Sequence, residues 1–155
     1  MSKDSQLNRQ SAIRNWQSPK WMYVAATLSL VGLADSLYLT IKHLSGEAVP
    51  CSVTGGCEEV LTSSYAVVAG IPLAALGAAA YFSVFSLATL AIFGYPIAAK
   101  LLRLLAAIMV LVSLWLFYLQ AFVIRAFCQF CLLSAATTIA LAIIVFLARR
   151  KAVEA

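Results

Sequence analysis

Long runs without a charged residue dominate the second half of this sequence. No charged residue occurs from Leu104 to Ile124 or from Ala126 to Ala148, and Arg125 alone separates the two runs. A helix needs about 20 consecutive apolar residues to cross the hydrocarbon core of a bilayer. The two runs therefore predict two membrane-spanning helices that form a hairpin, with a very short turn at Arg125.

Two further spans are predicted upstream. Residues 60–99 carry no charge, which is too long for one span, and Pro72 suits the first turn of a helix, where a missing N–H is tolerated. The residues FGYP (93–96) predict a turn. The predicted spans are about 21–44, 72–93, 100–124 and 127–148, with a loop over 45–71 and tails over 1–20 and 149–155. The predicted fold class is an all-α membrane protein, a bundle of four transmembrane helices.

Composition supports a membrane protein over a soluble one. Only 11% of the 155 residues are charged, whereas a soluble domain has about 25%. The net charge is +5, but the basic residues lie at the ends and turns without interleaved aromatic residues. They are therefore interpreted as topology signals, and no nucleic-acid partner is expected.

The basic residues predict which side each end faces. Nine lie in the tails and the second connection, and two lie in the other connections. The nine are Lys3, Arg9, Arg14, Lys20, Lys100, Arg103, Arg149, Arg150 and Lys151; the two are Lys42 and Arg125. Cytoplasmic segments carry the Lys/Arg excess, so both termini are predicted to be cytoplasmic and the 45–71 loop to face outward. A cleaved signal peptide is the alternative at the N-terminus, but the apolar stretch is long and contains Asp35, which favours an uncleaved span.

The four cysteines form two pairs on the predicted outward side. Cys128 and Cys131 make a C-x-x-C at the start of the fourth helix, where free N–H groups and the helix dipole lower a thiol pKa. Cys131 lies one turn deeper, about 4.5 Å along the axis. That spacing suits the passage of electrons from an aqueous thiol to a lipid-soluble acceptor.

The first pair lies in a loop with features of a mobile segment. Pro50 precedes Cys51, and two glycines precede Cys57. Thr54 with Glu58 indicates a short helix that begins near Cys57. A mobile loop helps thiol–disulfide exchange, because a thiolate must approach the disulfide in line.

Three interpretations of the four cysteines remain open at this point. They can bind zinc, although the C-x5-C spacing is not typical of a zinc site. They can form inert disulfides, although a C-x-x-C within one helical turn closes a very short loop and so stabilises little. A redox relay agrees best with an outward, oxidising compartment.

The sequence resembles the vitamin K epoxide reductase family, and in particular its bacterial members. The stretches that carry the resemblance are GLADSLYLT (32–40), CSVTGGCEEVLTSSYAVVAGIPLAALG (51–77) and YLQAFVIRAFCQFC (118–131). The resemblance covers all four predicted spans. A loop pair followed by a C-x-x-C at the fourth helix is the family's order of cysteines.

The resemblance implies a four-helix bundle around a quinone, either ubiquinone or menaquinone, with a short horizontal helix in the first outer loop. It also implies a membrane thiol:quinone oxidoreductase that oxidises an extracytoplasmic thioredoxin-like (DsbA-like) partner and supports disulfide formation, with no metal. By position, Cys51 would meet the partner, Cys57 would exchange with Cys128, and Cys131 would face the quinone. Ser63 matches a serine near the reactive sulfur. The expected location is the bacterial inner membrane, with the active site at its extracytoplasmic face.

Two departures from the animal members bear on substrate. The animal members have a tyrosine four residues after the last cysteine, where this chain has Ala135. They also have an asparagine in the second span, whereas this chain has none between Pro72 and Phe93. The resemblance then implies a simple quinone as acceptor. The 155-residue length implies no fused thioredoxin-like domain, so the thiol partner is expected to be a separate protein. The alternatives are a true epoxide reductase and a non-catalytic membrane protein with structural disulfides.

Other polar residues are candidates for binding or modulating the quinone. Asp35 is an acid within a span, which is costly and favours a function, although a buried hydrogen-bonded carboxyl is equally consistent. Ser134 and Thr138 share the helical face of Cys131 and either line the quinone pocket or bond back to their own helix. His43 at the end of the first span is interpreted as a surface residue.

Overall fold

A computed structural model of the chain describes residues 19–53 and 55–153. The helices are α1 (Pro19–Ser45), α2 (Cys57–Leu61), α3 (Leu73–Ile92), α4 (Pro96–Tyr118) and α5 (Gln129–Val153). Two short strands, β1 (Val67–Val68) and β2 (Ile71–Pro72), precede α3. A π-helical segment over Leu119–Ile124 continues α4.

Four of these helices have the length and apolar composition needed to cross a membrane. They cover Lys20–Ser45, Leu73–Ile92, Pro96–Ile124 and Gln129–Leu147. The predicted fold class, a four-helix transmembrane bundle with a short helix in the first long loop, is confirmed. The chain is a multi-pass membrane protein.

Small residues allow the helices of the bundle to approach closely. Gly32 of α1 lies directly against the ring of Tyr81 in α3, and a Cβ at Gly32 would overlap that ring. Gly77 of α3 faces Ser36 in the same way, where an added Cβ would lie 3.2 Å from the serine oxygen. Helices in lipid associate through close packing of this kind, because they lack a hydrophobic drive toward each other.

The loop between α1 and α3 contains a hairpin that the sequence pattern did not predict. Val67 pairs with Pro72 and Val68 with Ile71, across a turn in which Ala69 and Gly70 have φ of 52° and 81°. Two residues with positive φ match a type I′ turn. The dipeptide Ala-Gly is a weak turn signal, since alanine disfavours positive φ. Pro72 consequently precedes α3 as its N-cap instead of lying in its first turn.

Several helix boundaries differ from the predicted ones, and those of α4 and α5 have an identifiable cause or consequence. α4 begins at Pro96, earlier than residue 100, because proline is favoured at the first helical position. α5 begins at Gln129 instead of 127, because Arg125 adopts a left-handed conformation and residues 125–128 are not helical. α5 also continues past 148 to Val153, through residues predicted as the basic tail.

Some predicted features lie outside the described residues. The N-terminal tail up to residue 18, with Lys3, Arg9 and Arg14, is among them, and so is Thr54. The side chains of 149–151 are likewise not described.

Candidate functional site

All four cysteines meet in one cluster at one end of the bundle. Cys51 and Cys57 form a disulfide, and Cys128 and Cys131 are thiols. Cys57 and Cys128 are each 0% exposed and belong to the same buried core, against which Cys51 and Cys131 pack. The fold therefore brings together two pairs that are about 70 residues apart in sequence.

Two contacts hold the cysteine loop against the start of α5. A Cβ at Gly56 would lie 3.0 Å from Ala126 and from the backbone of Phe127, so a larger residue would push the two segments apart by a few tenths of an ångström. The backbone N–H of Val53 donates a hydrogen bond to the side-chain oxygen of Gln129 at 3.1 Å. One contact is made within the glycine pair and the other lies two residues before it, and together they place Cys57 beside the C-x-x-C.

Cys128 occupies the N-cap position of α5. Its carbonyl accepts the first helical hydrogen bond, from the N–H of Leu132 at 3.0 Å. The pKa of the Cys128 thiol is lowered to about 7, first by a hydrogen bond from Cys131 and then by the backbone N–H groups of Cys131 and Phe130, although burial opposes the shift. A helix N-terminus thus stabilises a thiolate here, as expected for a C-x-x-C in this position.

A cavity lies next to this cluster, within the bundle. It has a volume of about 130 Å³, compared with about 10–15 Å³ for one water on the same measure, so it has room for a ring-sized molecule. All four spans and the loop line it, mostly with apolar side chains. Cys131 is the one cysteine among its lining residues, and Cys51, Cys57 and Cys128 do not line it.

The predicted polar residues separate into two groups. Asp35, Ser63 and Ser134 line the cavity, and so does His43, which was expected at the surface. Thr138 is not among the lining residues, and its hydroxyl lies 2.9 Å from the hydroxyl of Tyr81. The Ser134 hydroxyl also lies close to the Tyr81 hydroxyl, at 3.0 Å.

Asp35 differs from the other polar lining residues. It is 9% exposed, and its Oδ2 atom has no hydrogen-bond partner within the described ranges. A buried polar atom without a partner is costly, so it indicates a ligand or a function more than a structural role. A structural carboxyl buried in the bundle would need a hydrogen-bond donor at this oxygen, and the described residues supply none for Oδ2.

Sequence reasoning missed two residues of this region. Gln120 of the π-helical segment lines the cavity, and its side-chain oxygen accepts a hydrogen bond from the backbone N–H of Cys128 at 3.0 Å. Tyr81 joins α3 to α5 by donating to the carbonyl of Ser134 at 2.8 Å. Gln120 is the only amide side chain in the charge-free run 104–124, and that signal identifies it from sequence.

The sequence profile of the vitamin K epoxide reductase family matches residues 23–146, which is most of the chain. The chain belongs to the vitamin K epoxide reductase family. The match includes both cysteine pairs and every residue of the cavity. The resemblance found in the three sequence stretches is therefore confirmed.

Membership of the vitamin K epoxide reductase family implies a membrane thiol oxidoreductase. The disulfide and the two neighbouring thiols agree with that activity. The family is associated with quinones and with thioredoxin-like redox partners. In the described part of the chain, no group of three or more His, Cys, Asp or Glu side chains is arranged to hold a metal ion.

Proposed function

We propose that this protein is a thiol:quinone oxidoreductase, which oxidises a thioredoxin-like partner and reduces a membrane quinone. The observation that carries the proposal is the placement of the cysteines. Cys57 and Cys128 share one buried core, whereas Cys131 is the one cysteine of the four that lines the cavity. Electrons that arrive at the loop pair can therefore leave through Cys131.

The relay starts at the loop pair. A partner thiolate attacks Cys51, which is partly exposed, and releases the thiolate of Cys57. A second partner thiol then resolves the mixed disulfide, so the partner leaves as a disulfide and the loop pair becomes a dithiol. Two electrons and two protons have moved from the partner to the loop.

The second exchange moves the electrons to the C-x-x-C. The Cys57 thiolate attacks Cys128 in a Cys128–Cys131 disulfide and releases the thiolate of Cys131. Cys51 then attacks Cys57, which restores the loop disulfide and frees Cys128. The structure has this thiol state, with a loop disulfide and two C-x-x-C thiols. Transfer of two electrons and two protons from the dithiol to a quinone forms the Cys128–Cys131 disulfide and a hydroquinone.

The cavity has the chemistry that a quinone head group requires. Its walls are mainly apolar, and its polar groups, among them Asp35, Ser63 and Ser134, are few and separated, as in ligand sites generally. The Ser63 hydroxyl donates to the carbonyl of Val60 at 2.7 Å, a local bond at the end of α2. Asp35 supplies a carboxyl that can carry a proton between the dithiol and a quinone oxygen.

The lining residues support a simple quinone, such as ubiquinone or menaquinone, over an epoxide. Ala135 lines the cavity where animal members have tyrosine, and α3 contributes no amide. The two side chains that are linked, in the animal members, to binding vitamin K or its epoxide are therefore absent here. We therefore expect the protein to reduce a simple quinone and to reduce vitamin K epoxide only slowly.

The proposed location is the bacterial inner membrane, with both termini cytoplasmic and the cysteine cluster at the outer face. The nine-to-two distribution of basic residues supports this orientation. An impermeant thiol reagent added from outside should label Cys51 after mild reduction. Labelling from the cytoplasmic side alone would contradict the orientation.

The direct test is a reconstituted reaction. The purified protein is mixed with a reduced thioredoxin-like protein and a short-chain quinone, and quinone absorbance is followed with time. The proposal predicts that one quinone is reduced for each partner disulfide formed. No quinone reduction by any thiol donor would contradict it.

A further inference from the structure

Gln120 connects the C-x-x-C to the cavity through the two ends of its amide. Its oxygen accepts a hydrogen bond from the Cys128 backbone N–H at 3.0 Å. A backbone N–H only donates, so the oxygen must be the end that faces Cys128. The amide nitrogen, with its two N–H donors, therefore points away from Cys128.

The nitrogen end of Gln120 has no protein partner within the described part of the chain. The side chain is 4% exposed and forms part of the cavity wall. Asp35 Oδ2 is the one fully buried side-chain N or O atom without a partner in the described residues, so the unpartnered Gln120 nitrogen is accessible from the cavity that the residue lines, where a ligand can accept its hydrogen bond. The residue also lies in a π-helical segment, a distortion that is frequent at functional sites.

We propose that the Gln120 amide donates a hydrogen bond to a carbonyl oxygen of the quinone. This inference rests on the proposed function, and it adds a substrate-contacting residue on the wall of the cavity. The carbonyl oxygen gains negative charge as electrons arrive, so the bond strengthens during reduction. The bond to Cys128 fixes the amide, so the donor is oriented before the quinone binds.

Two variants separate the proposed contact from a purely structural role. Gln120→Glu, assayed at a pH where the carboxyl is ionised, keeps an oxygen for the Cys128 N–H and removes the donor that faces the cavity. Gln120→Met keeps the length of the side chain but removes both the oxygen that accepts from the Cys128 N–H and the nitrogen that donates. The proposal predicts that kcat/KM for a short-chain quinone, with dithiothreitol as donor, falls about fivefold or more in both variants, since one hydrogen bond contributes about 1 kcal/mol, which is a factor of about five in rate.

A structural role predicts a different pattern. If Gln120 only anchors Cys128, Gln120→Glu keeps wild-type kinetics and only Gln120→Met is impaired. Thr137→Val is the matched control, because Thr137 is also a buried polar residue within a span but bonds its own helix at 2.9 Å and does not line the cavity. It should change kcat/KM less than about twofold.

The outcomes are distinguishable from failure of the proposed function. A wild-type protein that reduces quinone, together with Gln120→Glu at wild-type KM and kcat, would overturn the assignment of Gln120 alone. A wild-type protein that reduces no quinone would overturn the function itself. If Gln120→Glu does not assemble in the membrane, binding of the quinone to Gln120→Met, measured by quenching of tryptophan fluorescence, decides the point: unchanged affinity overturns the proposal.

Discussion

Cys57 and Cys128 lie in one buried core, each without solvent exposure, although one belongs to the loop after α1 and the other caps α5. Gly56 brings the two segments together, because its missing side chain allows contact with Ala126 and Phe127. Two sulfurs held in one dry core can exchange a disulfide without a competing reagent.

The first prediction concerns a disulfide between Cys57 and Cys128. In Cys131→Ser, the Cys128 thiolate can attack the loop disulfide at Cys57; Cys131 can no longer resolve the product, and only the released Cys51 thiol can reverse the step. We expect the mixed disulfide to accumulate, and to accumulate further in Cys51→Ser/Cys131→Ser treated with oxidised glutathione. Mass spectrometry of peptides from the unreduced protein measures it.

The control for this cross-link is Cys57→Ser/Cys131→Ser, which retains Cys51 and Cys128. Cys51 is the less buried loop cysteine, so we expect little cross-link there. An equal yield in the two double variants would show that the loop moves freely and that Cys57 is not the exchanging residue.

The second prediction concerns the pH dependence of that exchange. The Cys131 hydrogen bond is the main cause that lowers the pKa of Cys128 to about 7. Serine can still donate to the Cys128 sulfur, whereas alanine cannot, so Cys131→Ala should raise the Cys128 pKa relative to Cys131→Ser. The rate of mixed-disulfide formation should therefore rise with pH through a higher midpoint in Cys131→Ala. Identical midpoints would assign the thiolate stabilisation to the helix N–H groups alone.

The third prediction concerns the contact between α1 and α3. Gly32→Ala should destabilise the bundle by about 1–3 kcal/mol or more, because the new methyl overlaps the Tyr81 ring in a packed interface. Gly77→Ala is the comparison, since its methyl meets only a serine oxygen at 3.2 Å. Thermal unfolding in detergent should give a lower midpoint for Gly32→Ala than for Gly77→Ala. The reverse order would contradict this packing.

The fourth prediction concerns Asp35. Asp35→Asn keeps the shape of the side chain and removes a group that can carry a proton. We expect kcat for quinone reduction to fall about tenfold or more, within the range for loss of general acid–base catalysis. The Cys57–Cys128 cross-link should still form, because Asp35 is not one of the exchanging groups and is only the smallest of the influences on the Cys128 pKa. An unchanged kcat would leave Asp35 without a role in proton transfer.

The sequence predicts the spans well because the bilayer imposes a simple rule. Charge-free runs of sufficient length must become helices, and the turn at Arg125 follows from the single charge between two such runs. The cysteine spacing likewise predicts a C-x-x-C at a helix start. These properties depend on residues that are close in sequence.

Other features depend on residues that meet only after folding. The contact of Gly32 with Tyr81 joins two spans, and no pattern within either span identifies its partner. The hydrogen bond from Cys128 to Gln120 requires the π-helical segment and the left-handed Arg125, which together turn the chain back on itself. The hairpin at 67–72 is set by an Ala-Gly turn that sequence rules do not favour.

The central claim is that the two cysteine pairs act in series and that Cys131 is the exit to the quinone. Quinone reduction by Cys51→Ala and by Cys131→Ala should be measured with two donors, a reduced thioredoxin-like protein and dithiothreitol. The account predicts that Cys131→Ala is inactive with both donors. It predicts that Cys51→Ala is inactive with the protein donor but active with dithiothreitol, which can reduce the C-x-x-C without the loop pair. Equal loss of dithiothreitol activity in the two variants would contradict the serial relay.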